Sequence, residues 1–391
     1  MNKKDKQLAI NGGKPVTKET IVIHKPYLLE DDYKAVDKSL RSTFVSGDGP
    51  DCRKFEERLK EYLGVKHVLF TNSCTGALDL AFMVKRFPAE GEVIVPNFTY
   101  TSTALAPLLN NLRVVLVDVY KENGNIDIFK IKQAITSNTV AIMPVDYAGN
   151  PAEMDEINEI ARKHKLFIVH DTAQSIGAIY KGKLTGTLAD ISCFSFHGTK
   201  NITTGEGGAL VTNDDEIAEL VKIARDKGTD KWTYISNPTR KGFYEYVSLG
   251  NSYVQSNILG ALGVTQLAKI DIILKRRKDI ASYYINELKS IQGIELPTIT
   301  NNALTNWHLF YILVPPAEKL WIMDALQAEG IGCNVHYNPL HMNLLFKNLG
   351  HPNLNNSINF YNRLLRLPIY PSLTEEEAEL VIKAVEKVFG Y

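Results

Sequence analysis

What the sequence lacks narrows the choices first. Its 391 residues hold 4 cysteines (Cys52, Cys74, Cys193 and Cys333), scattered and without a C-x-x-C pair. That excludes a disulfide framework and a cysteine-built zinc site. There is no excess charge of either sign, since Lys+Arg and Asp+Glu are 44 each. A nucleic-acid partner needs a basic stripe; the only cluster, Lys275-Arg276-Arg277-Lys278, reads as one solvated helix turn. No apolar run approaches the length of a membrane span. The start, Met1-Asn2-Lys3-Lys4-Asp5-Lys6, is charged and leads into no apolar stretch, unlike a signal peptide. The expectation is a cytoplasmic protein with no membrane and no nucleic acid among its partners. No G-x-G-x-x-G opens a helix after the first strand, which argues against a nicotinamide oxidoreductase. Internal repeats and low-complexity tracts are also missing.

What is present is an alternation. Short apolar runs at 68–70, 92–95, 113–117, 139–145 and 166–169 alternate with amphipathic segments at 75–84, 102–109, 128–135 and 153–164. Continuously apolar strands between helices predict a mostly parallel sheet covered on both faces. Runs at 191–196 and 208–212 read as two more strands, followed by a helix to about Ala224. A long helical pattern from Ser256 to about Ser290 reads as a link between domains. Beyond it, strands at 307–314 and 333–336 and helices at 320–328 and 375–389 suggest a smaller α/β unit. The organisation expected is an N-terminal segment (1–30), a large domain (31–255), and a linking helix with a small C-terminal domain (256–391). Residues 227–246 are polar and aromatic without a period, either a linker or a functional loop.

Lysine is almost never buried without a partner, yet Lys200 follows the apolar strand at 191–196 in a setting of small residues. It reads either as a surface lysine in a loop or as a desolvated amine able to form a Schiff base. In open parallel sheets ligands bind at the carboxyl ends of strands, so residues just after each apolar run carry the search. After the first comes Thr71-Asn72-Ser73-Cys74-Thr75-Gly76, a helix start that suits a phosphate, although helix capping by Ser73 or Thr75 uses the same residues. After the second come Phe98 and Tyr100, either core aromatics or a ring to stack on a flat ligand. After the fifth comes Asp171, a turn former or the carboxylate that holds a cationic ring nitrogen. Phosphate cradle, aromatic, acid and lysine together are the parts that pyridoxal phosphate (PLP) needs.

The motifs extend this. Ser46-Gly47-Asp48-Gly49, Asn72-Ser73-Cys74-Thr75, Phe98-Thr99-Tyr100-x-Ser102-Thr103, Asp171-x-Ala173-Gln174, Ser195-Phe196-His197-x-x-Lys200-Asn201, Gly205-Glu206-Gly207-Gly208, Gly250-x-x-Tyr253-x-x-Ser256 and His336-Tyr337-x-Pro339-Leu340-His341 occur in that order. In this the chain resembles the DegT/StrS-type nucleotide-sugar aminotransferases, over nearly its whole length. The resemblance implies an α/β protein of the aspartate aminotransferase-like fold (PLP fold type I), with a mostly parallel seven-stranded sheet in the large domain. It implies that Lys200 carries the cofactor and serves catalysis with Asp171, which partners the pyridine nitrogen. Gln174 would bond the ring hydroxyl and Tyr100 stack on the ring. Ser195 with the Cys74-Thr75 backbone would hold the phosphate, completed by Ser252 of a neighbouring subunit, so a homodimer with shared active sites is implied. The sugar would meet His336, Tyr337 and His341. No metal is expected, because the two histidines have no acidic or cysteine partner nearby in the sequence.

Within that family the pattern is most similar to dTDP-4-amino-4,6-dideoxygalactose transaminases of the WecE type, on Ser73 to Thr75, Tyr147-Ala148-Gly149, Lys227-Gly228-Thr229 and the Lys200 stretch. The activity implied is transfer of the amino group of L-glutamate to C4 of a nucleotide-linked 4-keto-6-deoxyhexose. A gluco product, another nucleotide, a 3-keto sugar or a sugar dehydratase stand as alternatives, the last opposed by Lys200. Three departures from that pattern stand out: Gly198 in place of glutamate, Asp146 in place of histidine, and His170 in place of glutamate. Gly198 and Asp146 are expected to touch substrate, and His170 to point to the opposite face of the sheet from Asp171.

Overall fold

A computed structural model describes residues 7–231, 244–347, 349 and 353–390. Helices α1 (Glu30–Arg41) and α2 (Pro50–Leu63) come first. Pro50 occupies the first helical position of α2, where a missing N–H costs no hydrogen bond. Then follow β1 (His67–Thr71), α3 (Cys74–Lys85), β2 (Glu92–Pro96), α4 (Thr101–Leu109), β3 (Arg113–Val117), α5 (Ile128–Ala134), β4 (Thr139–Ile142), α6 (Met154–His164) and β5 (Phe167–Asp171). A hairpin of β6 (Ile179–Tyr180) and β7 (Lys183–Leu184) precedes β8 (Ile191–Ser195), β9 (Gly208–Thr212) and α7 (Asp215–Ala224). The rest is α8 (Asn257–Ala268), α9 (Ile270–Leu288), β10 (Ala303–Leu304), β11 (Phe310–Leu313), α10 (Lys319–Ala328), α11 (Asn355–Arg363), β12 (Leu364–Leu367) and α12 (Glu375–Phe389).

Seven strands form the central sheet in the order β1-β9-β8-β5-β4-β2-β3. Only β9 runs antiparallel to its neighbours, β1 and β8; the other pairings are parallel. The strands read as unbroken apolar runs because both faces are covered. On one face Leu78 and Phe82 of α3, Ala104 of α4 and Val221 of α7 pack on Val93, Val95 and Leu210. On the other, Phe55 of α2 packs with Phe70, Phe194 and Val211, and Ile157 of α6 with Ile94, Ile142 and Ile168. A second core joins α9, α10 and α12 to β11 and β12, through Tyr284, Phe310, Leu326, Leu365 and Val385, and takes in Ile21 from the N-terminal segment. The architecture is that of PLP fold type I.

Several expectations need correction. The pattern from Ser256 to Ser290 is not one helix: α8 and α9 meet at Lys269 with a bend of 58°. Lys269 is 6% exposed and its Nζ lies 2.8 Å from Asp31 and 2.7 Å from Asp32 of α1. A buried ammonium must be paired, and reaching that acid pair accompanies the turn. Arg277 does not share a solvated helix turn with its basic neighbours; it is 1% exposed and faces inward. The run at 139–145 leaves the sheet after Ile142, and Val145 makes a single bridge to Asp171. Residues 333–336 form no strand, only a bridge from Asn334 to Arg366; the partner of β11 is β12, which the sequence reading missed along with α11 and the β6–β7 hairpin. Twelve residues of the 227–246 stretch, 232–243, lie outside the described residues. Among the described residues no single helix is long and apolar enough to cross a membrane, and α8 with α9 pass that test only as a bent pair.

Candidate active site

A cavity of about 350 Å³ opens at the carboxyl ends of β1, β2, β5 and β8. Its walls include Cys74, Thr75, Tyr100, Asp171, Gln174, Ser195, Lys200, His336 and Tyr337. Nine of the eleven predicted site residues are thus brought together, from segments far apart in the chain.

Lys200 lies in the turn after β8. Lys200 N–H donates to His197 O (2.9 Å), and Phe196 N–H to Gly207 O (2.8 Å), closing the turn against the start of β9. Asn201, the next residue, donates from Nδ2 to Asn306 O (3.0 Å) and so ties the turn to the segment before β11. Burial lowers the Lys200 amine to about 8, although Cys74 and Asp171 pull the other way. The basic form therefore exists near neutral pH.

Asp171 is the last residue of β5 and is 5% exposed. Desolvation raises its pKa against two hydrogen bonds. Thr103 Oγ1–H donates to Oδ2 (2.8 Å) and Ala173 N–H to Oδ1 (3.1 Å). Because the Thr103 hydroxyl proton is used there, Thr103 accepts from Thr99 Oγ1 at 2.8 Å. Thr103 was quoted within a motif but given no role; its place on the first turn of α4 was the available signal. Gln174 is held by its neighbour turn: Ala148 N–H donates to Oε1 (2.8 Å), leaving Nε2 3.4 Å from Tyr337 OH.

The helix start expected to take the phosphate is the N-terminus of α3. Ser73 caps it, its Oγ accepting from Gly76 N–H at 3.0 Å, so the capping alternative is realised; the first helical N–H groups still present a partial positive charge. Thr75 Oγ1 lies 2.7 Å from Ser102 Oγ. Ser195 Oγ accepts from His197 N–H at 3.4 Å. Tyr100 is 54% exposed at the mouth, its ring 5.6 Å from that of Tyr337.

Two predicted residues lie elsewhere. Ser252 is exposed and its carbonyl accepts from Asn72 Nδ2 (3.3 Å); it does not line this chain's cavity. His341 does not line it either; its N–H donates to Asn97 Oδ1 at 3.1 Å, anchoring the 336–342 segment to the end of β2. Asp146, expected to touch substrate, is fully buried. It accepts from His170 Nε2 (2.9 Å), Ser175 Oγ (2.6 Å) and Ala152 N–H (2.8 Å). Two of the departures in sequence are therefore one internal pair. Gly198 has open space where a Cβ would stand, with only Gly205 O at 3.8 Å, and its carbonyl accepts from His24 Nε2 (2.6 Å). Sequence reasoning missed His24 and Arg366 and quoted Tyr147 in a motif without a role; all three support this wall of the site, and Arg366 was detectable as a charge inside the apolar run 364–367.

Residues 26–386 match the DegT/DnrJ/EryC1/StrS aminotransferase family. The chain belongs to that family. This aminotransferase is 35% identical to a UDP-4-amino-4,6-dideoxy-N-acetyl-beta-L-altrosamine transaminase of Campylobacter jejuni, over 90% of this chain and 93% of that one. It is 34% identical to a GDP-perosamine synthase of Caulobacter vibrioides, over 92% and 95%. A Streptococcus pneumoniae protein solved in its PMP form superposes with a TM-score of 0.89 at 28% identity, over 95% and 99%. The enzyme is a PLP-dependent nucleotide-sugar aminotransferase. Its cavity fits that cofactor: an amine of lowered basicity suits the aldehyde, a buried carboxylate the ring nitrogen, and a helix N-terminus the phosphate.

Proposed function

We propose that the enzyme transfers the amino group of L-glutamate to C4 of a nucleotide-linked 4-keto-6-deoxyhexose, working as a homodimer. The observation that carries this reading is the meeting, in one cavity, of a Lys200 amine lowered to about 8 with the buried carboxylate of Asp171. Support for C4 comes from the 4-amino-4,6-dideoxy sugar in the name of the Campylobacter relative and from the Lys200-Asn201 and Gly205–Gly208 pattern. A dTDP sugar of the galacto series rests on the sequence resemblance; the relatives' names carry UDP and GDP, so all three nucleotides belong in the assay. A dimer is supported by Ser252, which is exposed and does not line its own cavity, and by Tyr246 and Leu249 nearby in sequence, 70% and 86% exposed.

Bound PLP supplies an electron sink for the charge left when the amino donor loses its α-proton. Lys200 Nζ takes that proton and returns it, acting as base and then acid. Asp171, desolvated and braced by Thr103, holds the proton of the ring nitrogen. Gln174, its Oε1 already occupied by Ala148 N–H, offers Nε2–H to the ring hydroxyl. Ser195 and the amides of Cys74 and Thr75 take the phosphate, with Ser252 of the other subunit. Tyr100 covers the ring, and His336 and Tyr337 face the substrate.

The test is incubation with L-glutamate and a panel of 4-keto and 3-keto sugars linked to dTDP, UDP and GDP, with NMR of the product. Amination at C4 and release of 2-oxoglutarate are expected, abolished in Lys200→Ala. Conversion of 3-keto sugars alone, or turnover retained by Lys200→Ala, overturns the reading.

A further inference from the structure

A buried carboxylate that the proposed reaction does not use ties together the segments that carry Asp171 and Gln174. Asp146 and His170 are both wholly buried. A carboxylate out of water needs donors, and Asp146 has three of them. His170 Nε2–H (2.9 Å) and Ala152 N–H (2.8 Å) donate to Oδ1, and Ser175 Oγ–H (2.6 Å) donates to Oδ2. The carboxylate accepts from the ring, so the His170 proton sits on Nε2; Nδ1 has no hydrogen-bond partner.

Place along the chain is what links this cluster to the site. His170 directly precedes Asp171, and Ser175 directly follows Gln174. Asp146 itself opens the turn Tyr147–Gly149, in which Ala148 is held at φ 60°. That left-handed conformation is unfavourable for a residue with a Cβ and persists only where its surroundings fix it. Asp146 fixes one end of the turn. At the other, Leu309 N–H donates to Ala148 O (3.3 Å) and Asn306 N–H to Gly149 O (3.3 Å). The turn matters because Ala148 N–H donates to Gln174 Oε1 at 2.8 Å. The two ends of a side-chain amide have nearly the same shape and opposite polarity, so packing alone leaves its direction open. An N–H can only donate. Ala148 therefore draws Oε1 to the turn and leaves Nε2 on the side of Tyr337 OH, 3.4 Å away, which lines the cavity with Gln174.

We propose that Asp146, held by His170 and Ser175, is a positioning residue that turns Gln174 Nε2–H, and not Oε1, toward the ring hydroxyl of bound PLP. The proposal rests on the reading above that gives Gln174 that hydroxyl. Asp146 does not line the cavity. It acts by keeping Ala148 N–H aimed at Oε1 and by tying the Gln174 turn to the same point through Ser175. A donor at the hydroxyl favours its anionic form. This oxygen stands on the ring carbon next to the one that bears the aldehyde. Without the donor it holds the proton of the Lys200 nitrogen more tightly.

The test is a pH titration of the bound cofactor's absorbance, with PLP Kd and thermal midpoint measured alongside. The proteins are the PLP-loaded wild type, Ser175→Ala, Asp146→Asn, Gln174→Met and the double variant Ser175→Ala/Gln174→Met. Gln174→Met should raise the midpoint of the titration. Ser175→Ala and Asp146→Asn should move it the same way by less, and weaken PLP binding by about threefold to tenfold, the size of one lost hydrogen bond. In the double variant Ser175→Ala should add no further shift, because its effect passes through Gln174. A purely structural role lowers the thermal midpoint and leaves the titration unmoved. An unmoved titration in Ser175→Ala and Asp146→Asn, or shifts that add in the double variant, overturns the positioning role. Should Asp146→Asn fail to fold, the Ser175→Ala titrations in the two backgrounds decide alone. A Gln174→Met titration at the wild-type midpoint overturns the hydroxyl contact and this role with it, whereas a shift confined to Gln174→Met overturns the positioning role only.

Discussion

On the proposed reading Lys200 reacts only in its unprotonated form, which makes its pKa a functional property of the fold. Burial brings the amine to about 8, against an ordinary lysine near 10.4. In cofactor-free protein the rate of PLP capture, trapped by borohydride reduction, should rise with pH through a midpoint near 8. A midpoint near that of free lysine contradicts the desolvated setting. Asp171 depends in turn on Thr103. Thr103→Val keeps the shape and removes the donor to Oδ2, leaving a buried carboxylate short of one bond. Loss of a hydrogen bond to a charged group is worth roughly 1.5–3 kcal/mol. The variant should lose about tenfold or more in kcat, with a displaced pH dependence of the bound cofactor's absorbance. An unchanged spectrum and rate show that Thr103 does not serve Asp171.

The elements matter through how closely they approach each other. Gly208 opens β9 directly against the cap of α3: a Cβ there would stand 2.3 Å from Cys74 N and 2.5 Å from Ser73 O. Both obstacles are backbone, so neither can swing aside. Gly205, three residues earlier, has φ 81° and lets the chain reverse from the Lys200 turn. The Gly205–Gly208 motif is therefore what allows β9, the Lys200 turn and the N-terminus of α3 to meet. Gly208→Ala should lower stability by about 1–3 kcal/mol, as overpacking does, and weaken PLP binding beyond that by shifting the α3 N-terminus. Urea denaturation and PLP titration measure the two effects; a variant with wild-type PLP affinity would falsify the role assigned to this contact.

At the scale of the whole molecule, the site as one chain builds it has no Ser252. In a two-fold dimer each Ser252 would serve the other's cavity. Lys200→Ala and Ser252→Glu should each be inactive. When the two are unfolded together and refolded in equal amounts, activity should return to about one quarter of wild type, because half the dimers are mixed and each carries one intact site. No recovery means that Ser252 belongs to its own chain's site, and an active Ser252→Glu on its own means that it belongs to none. Much of the architecture was legible along the chain: β3 and α12 have the bounds that their patterns predict, since apolar periodicity depends on which faces are covered. That Lys200, Asp171 and Tyr100 meet at one cavity was legible too, because a sheet delivers residues at its strand ends to one edge; Gln174 was singled out only through the family resemblance. Less legible was whatever depends on a partner remote in sequence. Lys269, where the helical pattern bends, pairs with acids that lie in α1. Asp146, expected to face substrate, is consumed by His170 and Ser175. His341 anchors a loop to Asn97. Residue types and their spacing determined the fold and the cofactor and pointed to the candidate reacting groups. Which polar groups are used up inside and which stay free for a ligand was decided by tertiary packing, because a hydrogen bond or a charge is satisfied by what lies near it in space.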